Sequence, residues 1–319
     1  MKNPKLTVLI PTYNRALSLS TLLDILSNYQ KCGLDFAVTV SDDNSHDDTI
    51  RICHEMKSKI QHFSYIKTAE NKGMDNNFQL AYESVKTDYC WMLGDTRYIA
   101  LEEMKALLST LDENKYDAYI LKCRDEIFNE DAVYTDINDL MNKQGWHITN
   151  NASCVIPKRF IKKELYHRYM GTTFLHQGIF IEGLCMQESF RVKYLSKIVV
   201  KDLVIDHFKK VGWLRHPFLN FGQLWCKYVL SLPNQITFET KLKVIKDHNH
   251  YTHILDVTKI PGYKNLYGQE FVQNYKENRQ YLKYIVDQPS WLYDIAILMP
   301  SGLFRRLKRA YYLLKIHEQ

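Results

Sequence analysis

Residues 6–15 read LTVLIPTYNR and residues 36–49 read FAVTVSDDNSHDDT, two short apolar runs that each break into a polar turn. The spacing predicts strands over Leu6–Ile10 and Phe36–Val40. Between them Leu19, Leu22, Leu23, Leu26 and Tyr29 recur at helical period. The alternation continues with a helix from about Asp47 to Lys59 and a strand over His62–Ile66. Asn71-Lys72-Gly73 then opens a helix with Phe78, Ala81, Tyr82 and Val85 on one face. A fourth strand, Tyr89–Leu93, stops at Gly94-Asp95, and Leu101, Met104, Leu107, Leu108 and Leu111 form the next helical stripe. A βαβαβαβ order implies an α/β fold: parallel crossovers, a mostly parallel sheet covered on both faces, and ligands beyond the carboxyl ends of the strands. The chemistry is therefore expected in the loops after strands one, two and four. Taken singly, the Asn, Asp and Ser of those loops read as helix caps and turn formers.

Composition narrows the function classes. The 319 residues are 45% hydrophobic and 24% charged, with 12 Gly and 8 Pro, which excludes fibrous and disordered chains. The net charge of +6 is concentrated near the end, where Arg305, Arg306, Lys308, Arg309 and Lys315 stand close together. The rest is too balanced for a nucleic-acid footprint. Seven scattered cysteines without a C-x-x-C pair read as reduced thiols of a cytoplasmic protein. No apolar run is long enough for a signal peptide or a membrane span. A nicotinamide-dependent oxidoreductase would need G-x-G-x-x-G after strand one, where Pro-Thr-Tyr-Asn-Arg stands instead.

VLIPTYNR (8–15), VSDDNSHDDT (40–49), AENKGMDNNF (69–78) and YCWMLGDTRYI (89–99) occur in order at the four strand ends. Together they resemble the nucleotide-binding half of family-two glycosyltransferases of the GT-A fold. The resemblance covers about residues 5–110 and fades beyond 150. It implies transfer of a sugar from a nucleotide diphosphate sugar, a UDP-sugar first of all, to an acceptor hydroxyl with inversion, in surface or exopolysaccharide synthesis. The alternative is a catalytically impaired nucleotide-sugar-binding protein of the same fold.

Carried over residue by residue, the resemblance places Pro11, Thr12, Tyr13 and Arg15 along the donor, with Tyr13 near the base. Asp42 or Asp43 would accept from base or ribose, with the other capping the following helix, and Asn71 and Gly73 would pass close to the base. Such enzymes usually hold Mg²⁺ or Mn²⁺ through aspartates after the fourth strand. Here Asp95 is the one metal ligand left, and Thr96 and Arg97 replace the expected aspartates. Either Arg97 binds the diphosphate in place of the metal, or it faces solvent beside a site completed elsewhere. The general base expected at a helix after the sheet corresponds to His176, with Glu182 as substitute; the other reading is a structural histidine. His207 and His216 are weaker candidates, and His248, His250 and His253 read as a helix surface.

These assignments divide the chain into a glycosyltransferase domain over 1–215, with donor half 1–110 and acceptor half 111–215, and a helical extension over 216–319. The expected partners are the donor, a glycan or lipid-linked acceptor and a second copy of the chain, but no nucleic acid. In addition, residues 301–316 form a basic amphipathic pattern suited to the cytoplasmic face of an anionic membrane.

Overall fold

The computed structural model describes residues 4–123, 128–203, 212–300, 302–303 and 306. The pattern over 301–316 thus lies outside the described residues, apart from Gly302, Leu303 and Arg306, as does His207. The chain divides into two compact units, Met1–Asp206 with Leu232–Ile236, and His207–Ser231 with Thr237–Gln319.

The first unit begins β1 (Leu6–Thr12), α1 (Ala16–Lys31), β2 (Ala37–Asp42), α2 (Thr49–Met56), β3 (Phe63–Lys67), α3 (Met74–Glu83) and β4 (Tyr89–Met92). It continues with β5 (Arg97–Tyr98), α4 (Leu101–Asp112), β6 (Ala118–Lys122), β7 (Ala132–Tyr134), α5 (Ile137–Gln144) and β8 (Cys154–Pro157). It closes with α6 (Lys163–Tyr169), α7 (Leu175–Cys185), β9 (Val192–Val199) and β10 (Lys201–Asp202). The eight-stranded sheet has the order β3-β2-β1-β4-β8-β6-β9-β7. The predicted βαβ half is present: β1 pairs in parallel with β2 and β4, and β2 with β3. β8 then enters antiparallel between β4 and β6, a change of direction that periodicity within single strands does not encode. The sheet is α/β and mostly parallel in this first half, as expected.

Burial explains the strand sequences. Leu6, Val8, Leu9 and Ile10 are all fully buried, because a central parallel strand is covered on both faces and so reads as continuous apolar sequence. β1 runs two residues past the expected end, since Pro11 and Thr12 stay in register with Ser41 and Asp42. That register brings the polar ends of β1 and β2 side by side. A second, two-stranded ribbon pairs Arg97 with Asp202 and Tyr98 with Lys201, so the chain following β9 lies along the loop that follows β4.

The second unit contains α8 (Trp225–Ser231), α9 (Phe238–Thr252), α10 (Ile260–Asn278), α11 (Leu282–Ile285) and α12 (Ser290–Leu298). His248 corrects the surface reading given to its cluster: it is buried, with its ring stacked 4.8 Å from Phe221 and tilted against Trp225 at 5.1 Å. His250 and His253 are exposed, and His216 pairs with Glu270 at 3.0 Å. Among the described residues no helix is long and apolar enough to cross a membrane.

Candidate active site at the carboxyl edge of the sheet

The turns after β1 and β2 are laced together by side chains that hold backbone N–H groups. Asn14 adopts φ 51, a left-handed conformation that Asn tolerates better than most residues. Its N–H donates to Ser45 Oγ at 2.8 Å, and its Oδ1 accepts from the His46 N–H at 2.8 Å. Asp47 accepts from the Ala16 N–H at 2.9 Å, satisfying one of the open donors at the start of α1. From the same edge, Tyr13 and Arg15 project into solvent, Tyr13 being 41% exposed.

The two adjacent aspartates have separate tasks. Asp42 is fully buried; it accepts from the Ser45 N–H at 2.8 Å and from the Tyr65 hydroxyl at 2.7 Å. Burial first, and then this bond to a carboxylate, push the Tyr65 phenol well up. Asp43 reaches the other way and accepts from the N–H groups of Lys72 at 2.8 Å and Gly73 at 2.9 Å. It thereby fixes the Asn71–Gly73 loop, where Asn71 Oδ1 also accepts from the Gly73 N–H at 3.2 Å. Gly73, at φ 86, precedes the first turn of α3 in a conformation that favours glycine. Asn77, one turn further, donates to the carbonyls of Ser41 at 3.0 Å and Thr12 at 3.4 Å. Sequence reasoning missed Asn77; a buried Asn inside a helical stripe was the available signal.

Asp95 lies where β4 ends. Its Oδ2 accepts from Thr12 Oγ at 2.8 Å, and its Oδ1 is paired with Arg15 Nη1 at 3.0 Å. The Asp95 side chain is 5% exposed, so this guanidinium neutralises a charge largely shielded from water. Arg97 pairs through Nε with Asp202 at 3.0 Å, and the Leu203 N–H donates to Thr96 O at 2.8 Å. This arrangement fits a divalent cation poorly. Both Asp95 oxygens already face protein donors, one of them a cation, and a hard metal needs several oxygen ligands. Among the described residues no group of three or more His, Cys, Asp or Glu could hold a metal ion.

The helix α7 lies within 111–215, the stretch expected to meet the acceptor. Gly178 is required there by close packing, since a β-carbon would stand 2.5 Å from the Tyr169 ring. Tyr169 crosses α7 at that gap and its hydroxyl donates to Glu182, whose other oxygen holds Arg168 Nη1 at 2.7 Å. Glu182 therefore fastens α6 to α7. His176, the second residue of α7, donates from Nε2 to Thr149 O at 3.0 Å, and its ring meets Phe78 edge-on at 5.7 Å. Burial lowers its pKa to about 4, leaving the imidazole neutral, and Nδ1 is buried with no partner among the described residues. The stretch that His176 grips also borders the edge formed by the ends of β1, β2 and β4: the Asn151 amide is 3.7 Å from where a β-carbon on Gly94 would lie. The structure thus gathers Thr12, Arg15, Asp42, Asp43, Asn71, Gly73 and Asp95 into one hydrogen-bonded edge. His176 and Glu182 sit instead within the packing around α7.

The model of the family described as Glycosyl transferase family 2 matches residues 7–183, which is over half of the chain. The chain belongs to glycosyl transferase family 2. It is a glycosyltransferase of the GT-A-like α/β type. Abequosyltransferase RfbV of Salmonella typhimurium is 26% identical over 241 residues, covering 66% of this chain and 71% of that protein. Poly(ribitol-phosphate) beta-N-acetylglucosaminyltransferase TarS of Staphylococcus aureus is 26% identical over 121 residues, only 21% of its length. The structure of S. aureus TarS 1-349 in complex with UDP-GlcNAc has a TM-score of 0.57 at 15% identity, covering 97% of this chain and 92% of that one. The mannosyltransferase PcManGT from Pyrobaculum calidifontis, in complex with GDP-Man and Mn²⁺, has a TM-score of 0.50 at 14% identity, covering 96% and 84%.

Proposed function

We propose that this glycosyltransferase takes a UDP-sugar as donor and inverts the anomeric centre as it passes the sugar to a glycan or lipid-linked acceptor hydroxyl in surface polysaccharide synthesis. The donor lies over residues 1–110 and the acceptor over 111–215. The observation that carries this reading is the laced edge itself: Asp43 fixing the 71–73 loop, Asn14 and Asp47 fixing the first turn, Tyr13 left facing outward, and Arg15 half-exposed with one nitrogen on Asp95. A site whose backbone is already tied down loses little conformational freedom when a nucleotide binds. The RfbV and TarS relationships support the polysaccharide assignment.

In the transfer the acceptor oxygen bonds to the anomeric carbon as the bond from that carbon to the diphosphate oxygen breaks. Negative charge collects on the departing nucleoside diphosphate. Arg15 and Arg97 are the cations we assign to it, in place of a metal, because guanidinium is permanently charged and bonds phosphate through paired donors. The acceptor proton goes to Nδ1 of His176. The Nε2–H bond to Thr149 fixes the tautomer that leaves this lone pair open; burial, which lowers the pKa to about 4, weakens the ring as a base until the packing shifts to admit the acceptor. Since Nδ1 is enclosed, side chains around α7 must shift to admit the hydroxyl. Glu182 holds the helix pair together.

A thermal-shift series with UDP, GDP, CMP and dTDP tests the donor, because a ligand that binds the native state raises the melting point by mass action. UDP is expected to give the largest shift. A shift with UDP but no turnover of any UDP-sugar, even to water, would favour the impaired binding protein.

A further inference from the structure

Asp75, in the first turn of α3, is a buried carboxylate that the donor site does not use; only 7% of it is exposed. Its Oδ2 accepts from the Thr173 N–H at 3.1 Å, across 98 residues of sequence, and its Oδ1 has no partner among the described residues. Burial raises its pKa, while the backbone N–H groups of the 171–173 turn, Thr173 first, act the other way. The backbone there is unusual. Gly171 has φ 77 and Thr173 has φ 68, and a β-branched residue in that region is strained and persists there only where its surroundings hold it. The next residue, Phe174, caps α7, which carries His176. At its other end the first turn of α3 is anchored to the donor edge, through Asp43 on the Gly73 N–H. Phe78, one turn beyond Asp75, touches the His176 ring.

We propose that Asp75 is a positioning residue which holds the strained Gly171–Thr173 turn on the acceptor side and, through the first turn of α3, couples its order to nucleotide occupancy of the 71–73 loop. The coupling rests on the donor reading above; the hold on the turn does not. A bound nucleotide that steadies Gly73 steadies α3, and Asp75 passes that order to the turn that starts α7. By linkage, loosening the turn weakens nucleotide binding by the same factor.

Amide hydrogen exchange at residues 171–174, with and without saturating UDP, tests both parts. In the wild-type protein UDP is expected to slow exchange of the Thr173 amide. Asp75→Ala should speed its exchange without nucleotide by about tenfold or more and abolish the response to UDP, the loss expected for one hydrogen bond to a charged group. Asp75→Asn, which keeps an acceptor oxygen, should recover most of the protection and guards against a folding failure of the alanine variant. In the Asp75→Ala background, Thr173→Gly removes the strain and should restore UDP affinity, which a general packing defect would not allow. Unchanged Thr173 exchange in Asp75→Ala overturns the hold. UDP binding without any effect on Thr173 in the wild type overturns the coupling. Failure of UDP to bind overturns the donor reading alone, and the comparison without nucleotide still decides the hold.

Discussion

At the ends of β1, β2 and β4, both oxygens of Asp42, Asp43 and Asp95 meet donors from the protein. Around α7, by contrast, Asp75 Oδ1, His176 Nδ1, Gln177 Oε1 and Gln144 Oε1 are buried with no partner among the described residues. An unsatisfied buried polar atom costs about 1–3 kcal/mol, so the second region retains a cost that the first has removed. The edge at the ends of β1, β2 and β4 thus has its aspartates satisfied by the protein itself. The region around α7 leaves polar atoms unsatisfied within close helix packing, such as Tyr169 over Gly178.

If that division is right, damage to one region should leave the other's function standing. His176→Gln keeps a donor for Thr149 and removes the imidazole lone pair. It should lower kcat by about 10²- to 10⁴-fold, the usual contribution of a positioned base, while the UDP dissociation constant stays within twofold. A kcat close to wild type would make His176 purely structural. On the other side, Asp42→Ala combined with Asp43→Ala releases the β2 turn and the 71–73 loop together. Loss of UDP binding by about 100-fold or more is expected in calorimetry, from several hydrogen bonds to charged groups; an unchanged dissociation constant would misplace the donor.

The buried imidazole supplies a pH test specific to the acceptor side. Its pKa falls from 6.5 to about 4 on folding, so the unfolded chain binds the proton more tightly between those values. The stability from keeping this ring neutral is therefore present above pH 6.5 and lost as pH falls toward 4. Urea unfolding at pH 7 and pH 5 should differ by about 2 kcal/mol more in the wild type than in His176→Gln. Equal losses in the two proteins would mean that the ring is not enclosed. The smallest effect is expected at Arg97, whose Nε already serves Asp202. Arg97→Ala should weaken UDP by about tenfold, the equivalent of one modest charged contact, and leave uridine unaffected.

The same division governs what the sequence discloses. The parallel half is legible because each strand carries its own apolar run and each helix its own stripe, and the polar residues that stop β1, β2 and β4 are the ones that line the edge. The insertion of β8 beside β4 is a pairing between distant segments, and nothing within CVIP at 154–157 specifies its direction. Asp42 and Asp43 are adjacent and identical in type, so their separate tasks depend on which way the strand pleat turns each side chain. Asp75 reads in sequence as an ordinary acidic residue of a first helical turn, and its partner lies 98 residues away. Thr96 and Arg97 did announce a departure at the metal position, but the pairing of Arg15 with Asp95 appears only in three dimensions.

We propose that the edge at the ends of β1, β2 and β4 binds a nucleoside diphosphate through Arg15 and Arg97 without a metal. In calorimetric titration of the wild-type protein with UDP, first in EDTA and then with excess Mn²⁺, dissociation constants should agree within about twofold, less than a 0.5 kcal/mol difference; binding that vanishes in EDTA and returns with Mn²⁺ would mean that a metal holds the diphosphate.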